Sequence, residues 1–333
     1  MTSPQVLRAE WPMLALFLAA GMTPFVFGDP FSLDLVFSTI LWAAAATAWN
    51  ISGGYAGQLS LGHAAFFGIG AYASTWLLLR HGVSPWMGMW VGGLLAAVCA
   101  AAIGWLTMRL RGSFFVMATL AFGTVAHIVA VNWRSITGGS NGLSIPFAHA
   151  PGNMIFSDKA SFVYVALALL VVSYVLVRVI ERSRLGYSLV AYRENDQAAR
   201  ALGVRTLRAR LVAIAISAFL TALCGTVQTQ YTLYLDPDSA VGLAFSLQVA
   251  LIAIVGGLGT ARGPIVGAML IIPASGLLRA ALSSSYSGVH LLVYSALVIV
   301  VLLTLPEGIG PGIVRWWRRR TARSQPVPTP SSR

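Results

Sequence analysis

Ten windows of this chain approach the roughly 20 apolar residues that an α-helix needs to cross a hydrocarbon core of about 30 Å, and nothing else in the sequence restricts the fold as severely. None of the windows alternates apolar and polar residues with the two-residue period of a barrel strand. The chain therefore reads as an all-α integral membrane protein. Its 333 residues are 57% hydrophobic and only 10% charged, far from the composition of a soluble domain.

The helices are expected at about 11–28, 31–50, 58–79, 86–108, 113–132, 160–180, 211–230, 242–260, 264–282 and 289–305. Threading them alternately from an inside N-terminus puts all of the 22 basic residues on the cytoplasmic side except Arg80, Arg134, Lys159 and Arg279. Basic loops are retained on that side of a membrane, so both termini are placed there. The first span follows Arg8 and has no A-x-A-like cleavage site behind it, so it reads as an uncleaved helix.

Residues 1–310 read as one transmembrane domain, and 311–333 as a basic, then Pro/Ser-rich, cytoplasmic tail. The net charge of +12 is concentrated between Arg178 and Arg210 and in RWWRRRTAR at 315–323. Arg and Trp beside a membrane hold lipid headgroups, so no nucleic-acid partner is needed to explain the charge. Cys99 and Cys224 both fall within spans and read as small apolar packing residues.

The acidic residues are Glu10, Asp29, Asp34, Asp158, Glu181, Glu194, Asp196, Asp236, Asp238 and Glu307, all in loops or within about a turn of an expected helix end. A carboxylate at the bilayer centre costs about 2.5 to 3.5 kcal/mol on insertion scales, and ion-coupled carriers accept that cost to bind a proton or cation. The missing midplane carboxylates oppose such a carrier here. The only lysine, Lys159 in SDKAS, does not sit in a phosphate-cradling G-x-x-x-x-G-K-[ST] loop, so the chain carries no ATPase site of its own. No cofactor, metal site or catalytic residue set is expected from the spacing of His, Cys, Ser and carboxylates, which also opposes a membrane-embedded acyltransferase. What remains is a passive pore, or half of a machine whose motor is another chain.

The longest inside loop, 181–210, breaks into two short helical turns, one over about Tyr187 to Arg193 and a second N-capped by Asn195 and closed by Gly203. On the second, Ala198, Ala199 and Leu202 are expected to form a small apolar face ringed by Arg193, Arg200, Arg205, Arg208 and Arg210. Such a helix fits docking into a groove on a partner, and it fits equally well resting on anionic lipid.

Five motifs in order resemble one family: NISGGYAGQLSLGHAAFFGIGAY from Asn50, LRGSFFVMATLAF at 110–122, ITGGSNGL at 136–143, GYSLVAYRENDQAARALGV at 186–204 and IVGGLGTARGPIVGA at 254–268. Together, over about residues 31–310, they resemble the LivM-like permease subunits of bacterial branched-chain amino-acid ABC importers. The resemblance implies a type II-like importer fold in the inner membrane. It also implies pairing with a second, related permease, two cytoplasmic ABC ATPases and a periplasmic or lipid-anchored solute-binding protein, with an amino acid as substrate. Similar permeases of the same superfamily carry urea or short amides. The resemblance further implies that Gly186, Ala191, Arg193, Glu194, Asn195, Ala198, Ala199, Leu202 and Gly203 belong to the ATPase-coupling loop, although Gln197-Ala198-Ala199 before Gly203 departs from the E-A-A-x-x-x-G form of other importer classes.

The glycine-rich stretches carry a second expectation. Small residues let helix backbones approach in lipid, and Ser60/Ala64/Gly68, Ser217/Thr221/Gly225 and Gly259/Gly263/Gly267 each recur every four residues. Gly53, Gly54 and Gly57, and again Gly256, Gly257 and Gly259, are expected to interrupt helices beside the translocation path. Gln58, Ser60 and His63, around Gly62, would then satisfy the freed backbone groups. The same clusters also read as plain hairpins between packed helices. His127 is expected to bond a neighbouring carbonyl, and Asn132, Gln228 and Gln248 to bond between helices. The turn-rich loop 133–159 and LYLDPDSA at 233–240 are the expected docking surface for the solute-binding protein.

Overall fold

The computed structural model describes residues 3–282, apart from 27, 108, 111, 148–150 and 157, together with 299. The helix expected at 289–305 and the tail 311–333 lie outside the described residues.

Thirteen helices run in order among the described residues: α1 Ser3–Val26, α2 Pro30–Asn50, α3 His63–His81, α4 Pro85–Thr107, α5 Ser113–Asn132, the single turn α6 Arg134–Thr137, α7 Lys159–Glu181, α8 Arg184–Glu194, α9 Asp196–Ala201, α10 Thr206–Thr232, α11 Pro237–Val241, α12 Leu243–Gly256 and α13 Gly263–Leu282. Six are long and apolar enough to cross a membrane: α2 with the turn that extends it to Tyr55, then α4, α5, α7, α10 and α13. The apolar stretches Glu10–Val26 and Leu243–Gly256 are shorter. α3 has the length but also carries His63, Ser74, Thr75 and Arg80.

Local chemistry sets several helix ends. Asp29 opens α2 by accepting from the Ser32 amide at 2.9 Å, with Pro30 in the first turn, where its missing N–H costs nothing. That backbone hydrogen bond holds the Asp29 carboxyl below its ordinary range. Four expected boundaries move by a turn or more. α1 begins at Ser3 rather than 11, α3 begins at His63 rather than 58 because 56–62 is irregular, α10 begins at Thr206 rather than 211, and α12 ends at Gly256 rather than 260.

α10 is the central helix, packed on α3, α4 and α2. Its Ser217, Thr221 and Gly225 are all buried, as their spacing requires. A side chain at Gly225 would run into the carbonyl of Phe67 on α3, and one at Gly70 into the carbonyl of Ala222 on α10. Thr226 Oγ1 then donates to the Gly70 carbonyl at 3.1 Å, a bond that requires this backbone approach. The other two stripes are cut short. Ser60 precedes α3, leaving Ala64 and Gly68 on the helix, and Gly259 precedes α13, leaving Gly263 and Gly267.

At one end of the bundle β1 (Leu143–Ser144) pairs antiparallel with β2 (Tyr234–Leu235), tying the long 133–159 connection to the segment before α11. The opposite end gathers residue 10, the turn after α2, the α8–α9 segment and the turn before α13.

Candidate functional site

The site forms at that second end, where α2 does not stop at its glycines. Residues Ile51–Tyr55 continue it as a π-helix, so Gly53 and Gly54 widen the helix instead of interrupting it. Gly53 leaves room for the Trp49 ring, which any added side chain would strike. The chain departs the helix at Ala56 and turns through Gly57 at φ +63°, a left-handed conformation suited to glycine.

Several polar groups of the irregular segment 56–62 and the start of α3 are bonded, as buried backbone at membrane depth requires. The expected suppliers were Gln58, Ser60 and His63, and most of the bonds come from elsewhere. Trp49 Nε1 donates to the Ser60 carbonyl at 2.9 Å, the Leu61 amide donates to Thr119 Oγ1 at 3.1 Å, and the Ala64 amide to Ser246 Oγ at 2.9 Å. Ser60 contributes its hydroxyl to the Gly62 amide at 3.4 Å. His63 instead pins helices together. Ser217 Oγ gives its hydrogen to the Ala48 carbonyl at 2.7 Å, so it accepts from His63 Nε2 at 2.8 Å. This leaves Nδ1 to accept from Ser60 Oγ at 3.2 Å. Gln58, with its amide oxygen turned inward, accepts from Arg210 Nε at 2.9 Å, and the Arg210 guanidinium lies 4.4 Å over the Tyr192 ring. Arg210 is one of the largest fully buried side chains, although its arginine-rich surroundings in sequence suggested a solvated ring.

The second glycine cluster meets the first. α12 ends at Gly256, and Gly257 and Gly259 turn the chain at positive φ into α13. Asn50, buried on the last turn of α2, holds this turn with both ends of its amide. Its Nδ2 donates to the Thr260 carbonyl at 2.9 Å, and its Oδ1 accepts from the Gly259 amide at 3.0 Å. Truncating one side chain here orphans a donor and an acceptor, each worth about 1 to 3 kcal/mol when buried. Asn50→Ala is expected to lower the thermal midpoint of the purified chain by several degrees, read by unfolding in detergent, whereas Ser188→Ala on α8, whose hydroxyl donates only to the Arg184 carbonyl of its own helix, should leave it nearly unchanged.

Arg193 joins the two turns to the α8–α9 segment. From the last turn of α8 its Nη1 donates to the Gly54 carbonyl at 3.0 Å. Its aliphatic stem lies on Gly57 and its guanidinium on Gly259, both of which lack the side chain that would exclude it. The Gly54 carbonyl is one of the orphan acceptors at the end of a helix, and Arg193 caps it. Arg193 was expected only as part of an arginine ring, on a partner or on lipid. It remains exposed, with Nη2 3.2 Å from Glu194, while its Nη1 reaches back to the glycine turns.

The rest of the segment follows its sequence signals closely. Ser183 caps α8, and Asn195 caps α9 by accepting from the Ala198 amide at 3.0 Å. Gly203 donates to Arg200 and Val204 to Ala199, the paired bonds of a Schellman stop, with Gly203 at φ +82°. Gly186 is buried against the Ile180 carbonyl, and Ala191 is half-buried. The expected apolar face on α9 divides: Ala199 is buried at 3% exposure, while Leu202 at 85%, Ala198 and Glu194 face outward. Tyr187 and Val190 add to the outward apolar surface.

An ionic network ties the start of this segment to the same end. Arg178 on α7 holds Glu10 of α1 and Glu181, Tyr55 donates to Glu181, and Tyr174 donates to Glu10 at 2.5 Å. Arg262, in the second glycine turn, stands 3.6 Å from Glu10. Glu10 and Tyr174 lie about two turns inside α1 and α7 and the others near helix ends, and an acidic or basic side chain alone carries no signal of this convergence.

At the other end, His127 Nε2 lies 2.8 Å from Asp238 Oδ1, a carboxylate instead of the expected carbonyl. Asn132 donates back to Ile128 in its own helix at 2.8 Å rather than to a neighbour. Gln228 and Gln248 line a cavity of about 410 Å³ with Leu41, Trp42, Phe67 and Phe245.

Residues 31–303 match the family described as the permease component of a branched-chain amino acid transport system. The chain belongs to this family. The permease is 30% identical over 324 residues to the high-affinity branched-chain amino acid transport system permease protein LivM of Escherichia coli K12, covering 90% of this chain and 74% of LivM. It is 27% identical over 285 residues to the LivH permease protein of the same kind of system from Salmonella typhimurium, covering 80% and 90% of the two chains. A tyrosine transport system permease protein of Clostridioides difficile is 27% identical over 165 residues, covering 49% and 52%. No solved structure matches. The family and the apolar helices together make this a multi-pass membrane transport permease.

Proposed function

We propose that the permease is one of two related subunits forming the translocation path of an ATP-driven importer for branched-chain amino acids. It would cross the bacterial inner membrane ten times with both termini in the cytoplasm, and 289–305 would supply the tenth span. The partners are a LivH-like permease, two cytoplasmic ATPases and a solute-binding protein delivered to the face carrying 133–159 and 233–240. The observation that carries this reading is the bond from Arg193 to the Gly54 carbonyl. It ties a capped, outward-facing helical segment to the two glycine turns that end α2 and α12. A push on α8 and α9 by a hydrolysing partner reaches those turns through one side chain and needs no group of this chain to harness a gradient.

Leu202, Tyr187 and Val190 supply the apolar surface for the ATPase, and the Schellman stop at Gly203 fixes its angle. Gly203→Val forces a β-branched residue into a left-handed conformation, at a cost of about 1 to 3 kcal/mol. Ala199→Glu drives a carboxylate into the buried side of α9. Either is expected to abolish substrate-stimulated ATP hydrolysis in the complex reconstituted with all its partners while the subunit still inserts. Unchanged hydrolysis would remove the segment from the mechanism. The overall reading is tested by leucine uptake into proteoliposomes. Uptake should require all components and ATP, and accumulation by this chain alone, abolished by a protonophore, would replace the reading with a secondary carrier.

A further inference from the structure

A basic cavity stands apart from the Asn50 and Arg193 contacts at the glycine turns, at the same end of the bundle. It is open, about 620 Å³, and lined by Arg109, Arg200, Val204, Arg205, Thr206, Leu207 and Arg208. Arg109 follows the C-terminal end of α4, while Arg205 and Arg208 flank the first turn of α10. Arg200 already has partners, donating to Asp196 at 2.8 Å and to Thr206 at 3.2 Å, and Asp196 is held on that side by Thr206 as well. Among the described residues no carboxylate lines the cavity.

We propose that this cavity binds the phosphate headgroup of an anionic phospholipid. The proposal rests on reading the protein as a membrane permease but is independent of what it transports. Arginine is the side chain suited to phosphate, since its planar fork presents two parallel N–H donors. α10 begins at the cavity, and its N-cap position, Arg205, provides no side-chain acceptor for the first amides. The neighbouring surface is what distinguishes a lipid from a free anion. Trp105, Leu106, Phe114 and Leu207 are exposed large apolar residues on the helices that border the cavity. Arg109 sits 5.9 Å over the Trp105 ring, placing charge and aromatic face side by side as at a membrane interface. A headgroup held by the arginines would therefore lay its acyl chains along α4, α5 and the start of α10. Because Thr206 and Arg200 also belong to the α9–α10 junction, an occupied cavity would stiffen the segment beside the coupling helices.

The test uses the full chain purified in a neutral detergent and follows thermal unfolding with added phosphatidylglycerol, phosphatidylcholine or inorganic phosphate. Phosphatidylglycerol is expected to raise the midpoint by several degrees and the other two to leave it in place, since a ligand binding only the folded state stabilises it by mass action. Arg205→Gln/Arg208→Gln should lose at least about tenfold in apparent affinity for phosphatidylglycerol, while Arg279→Gln, outside the cavity, keeps the full shift. Arg109→Gln, remote in sequence from the α9–α10 junction, repeats the test where the double variant fails to fold. An equal shift with phosphatidylcholine, or a full shift in both Arg109→Gln and the double variant, overturns the proposal. An equal shift with inorganic phosphate overturns its assignment to a lipid.

Discussion

Arg193→Gln is expected to reduce amino-acid uptake by tenfold or more without reducing the amount of permease in the membrane. The charged donor that caps the Gly54 carbonyl is worth about 1.5 to 3 kcal/mol when its partner is sheltered, and about 1.4 kcal/mol corresponds to a tenfold change in an equilibrium. Glutamine is shorter and uncharged, so the Gly54 carbonyl loses its cap and the hollow between Gly57 and Gly259 empties. The α8–α9 segment would still fold, because its own caps at Ser183, Asn195 and Gly203 do not involve Arg193. The expected signature is therefore uncoupling. In the reconstituted complex ATP hydrolysis should continue at its basal rate and cease to respond to substrate-loaded binding protein. Arg193→Lys keeps the charge on a flexible stem without the planar fork, and is expected to fall between the two. Wild-type uptake by Arg193→Gln, with wild-type stimulation of hydrolysis, would show that the coupling does not pass through this side chain.

Sequence alone revealed what depends on local periodicity and capping. The apolar windows marked α2, α4, α5, α7, α10 and α13, and Asn195 and Gly203 marked the ends of α9, because each signal lies within a turn or two of the residue it constrains. What escaped were the specific side-chain bonds that join segments distant in the chain. Asn50 carries no local signal, and its role depends on a turn some 200 residues later. Arg193 and Arg210 look like their solvated neighbours in composition, yet one caps a helix and the other is buried between Gln58 and Tyr192. The glycines were read as helix breaks or as hairpins between packed helices, because glycine is a poor helix former. In the fold Gly53 and Gly54 stay helical, since the widened turn accommodates Trp49 and Asn50 where a side chain would collide.

Gly225→Ala tests a close backbone approach between α3 and α10, and its expected effect on stability runs against helix propensity. In an exposed helix the exchange would gain up to about 1 kcal/mol, because alanine loses less conformational freedom. Here the new methyl would meet the Phe67 carbonyl of α3, so α3 and α10 must separate. Separation weakens the Thr226 bond to Gly70 and opens the His63–Ser217 contact between the same two helices. Overpacking of this kind costs about 1 to 3 kcal/mol or more, and Gly225→Leu should prevent recovery of folded protein. Gly21→Ala on α1 is the paired control. Its added methyl would sit 3.6 Å from Leu167, an ordinary contact, so that variant should match or exceed the parent midpoint. A Gly225→Ala protein as stable as Gly21→Ala in detergent unfolding would mean that α3 and α10 do not pack at the distance on which both the His63 clip and the position of the 56–62 turn depend.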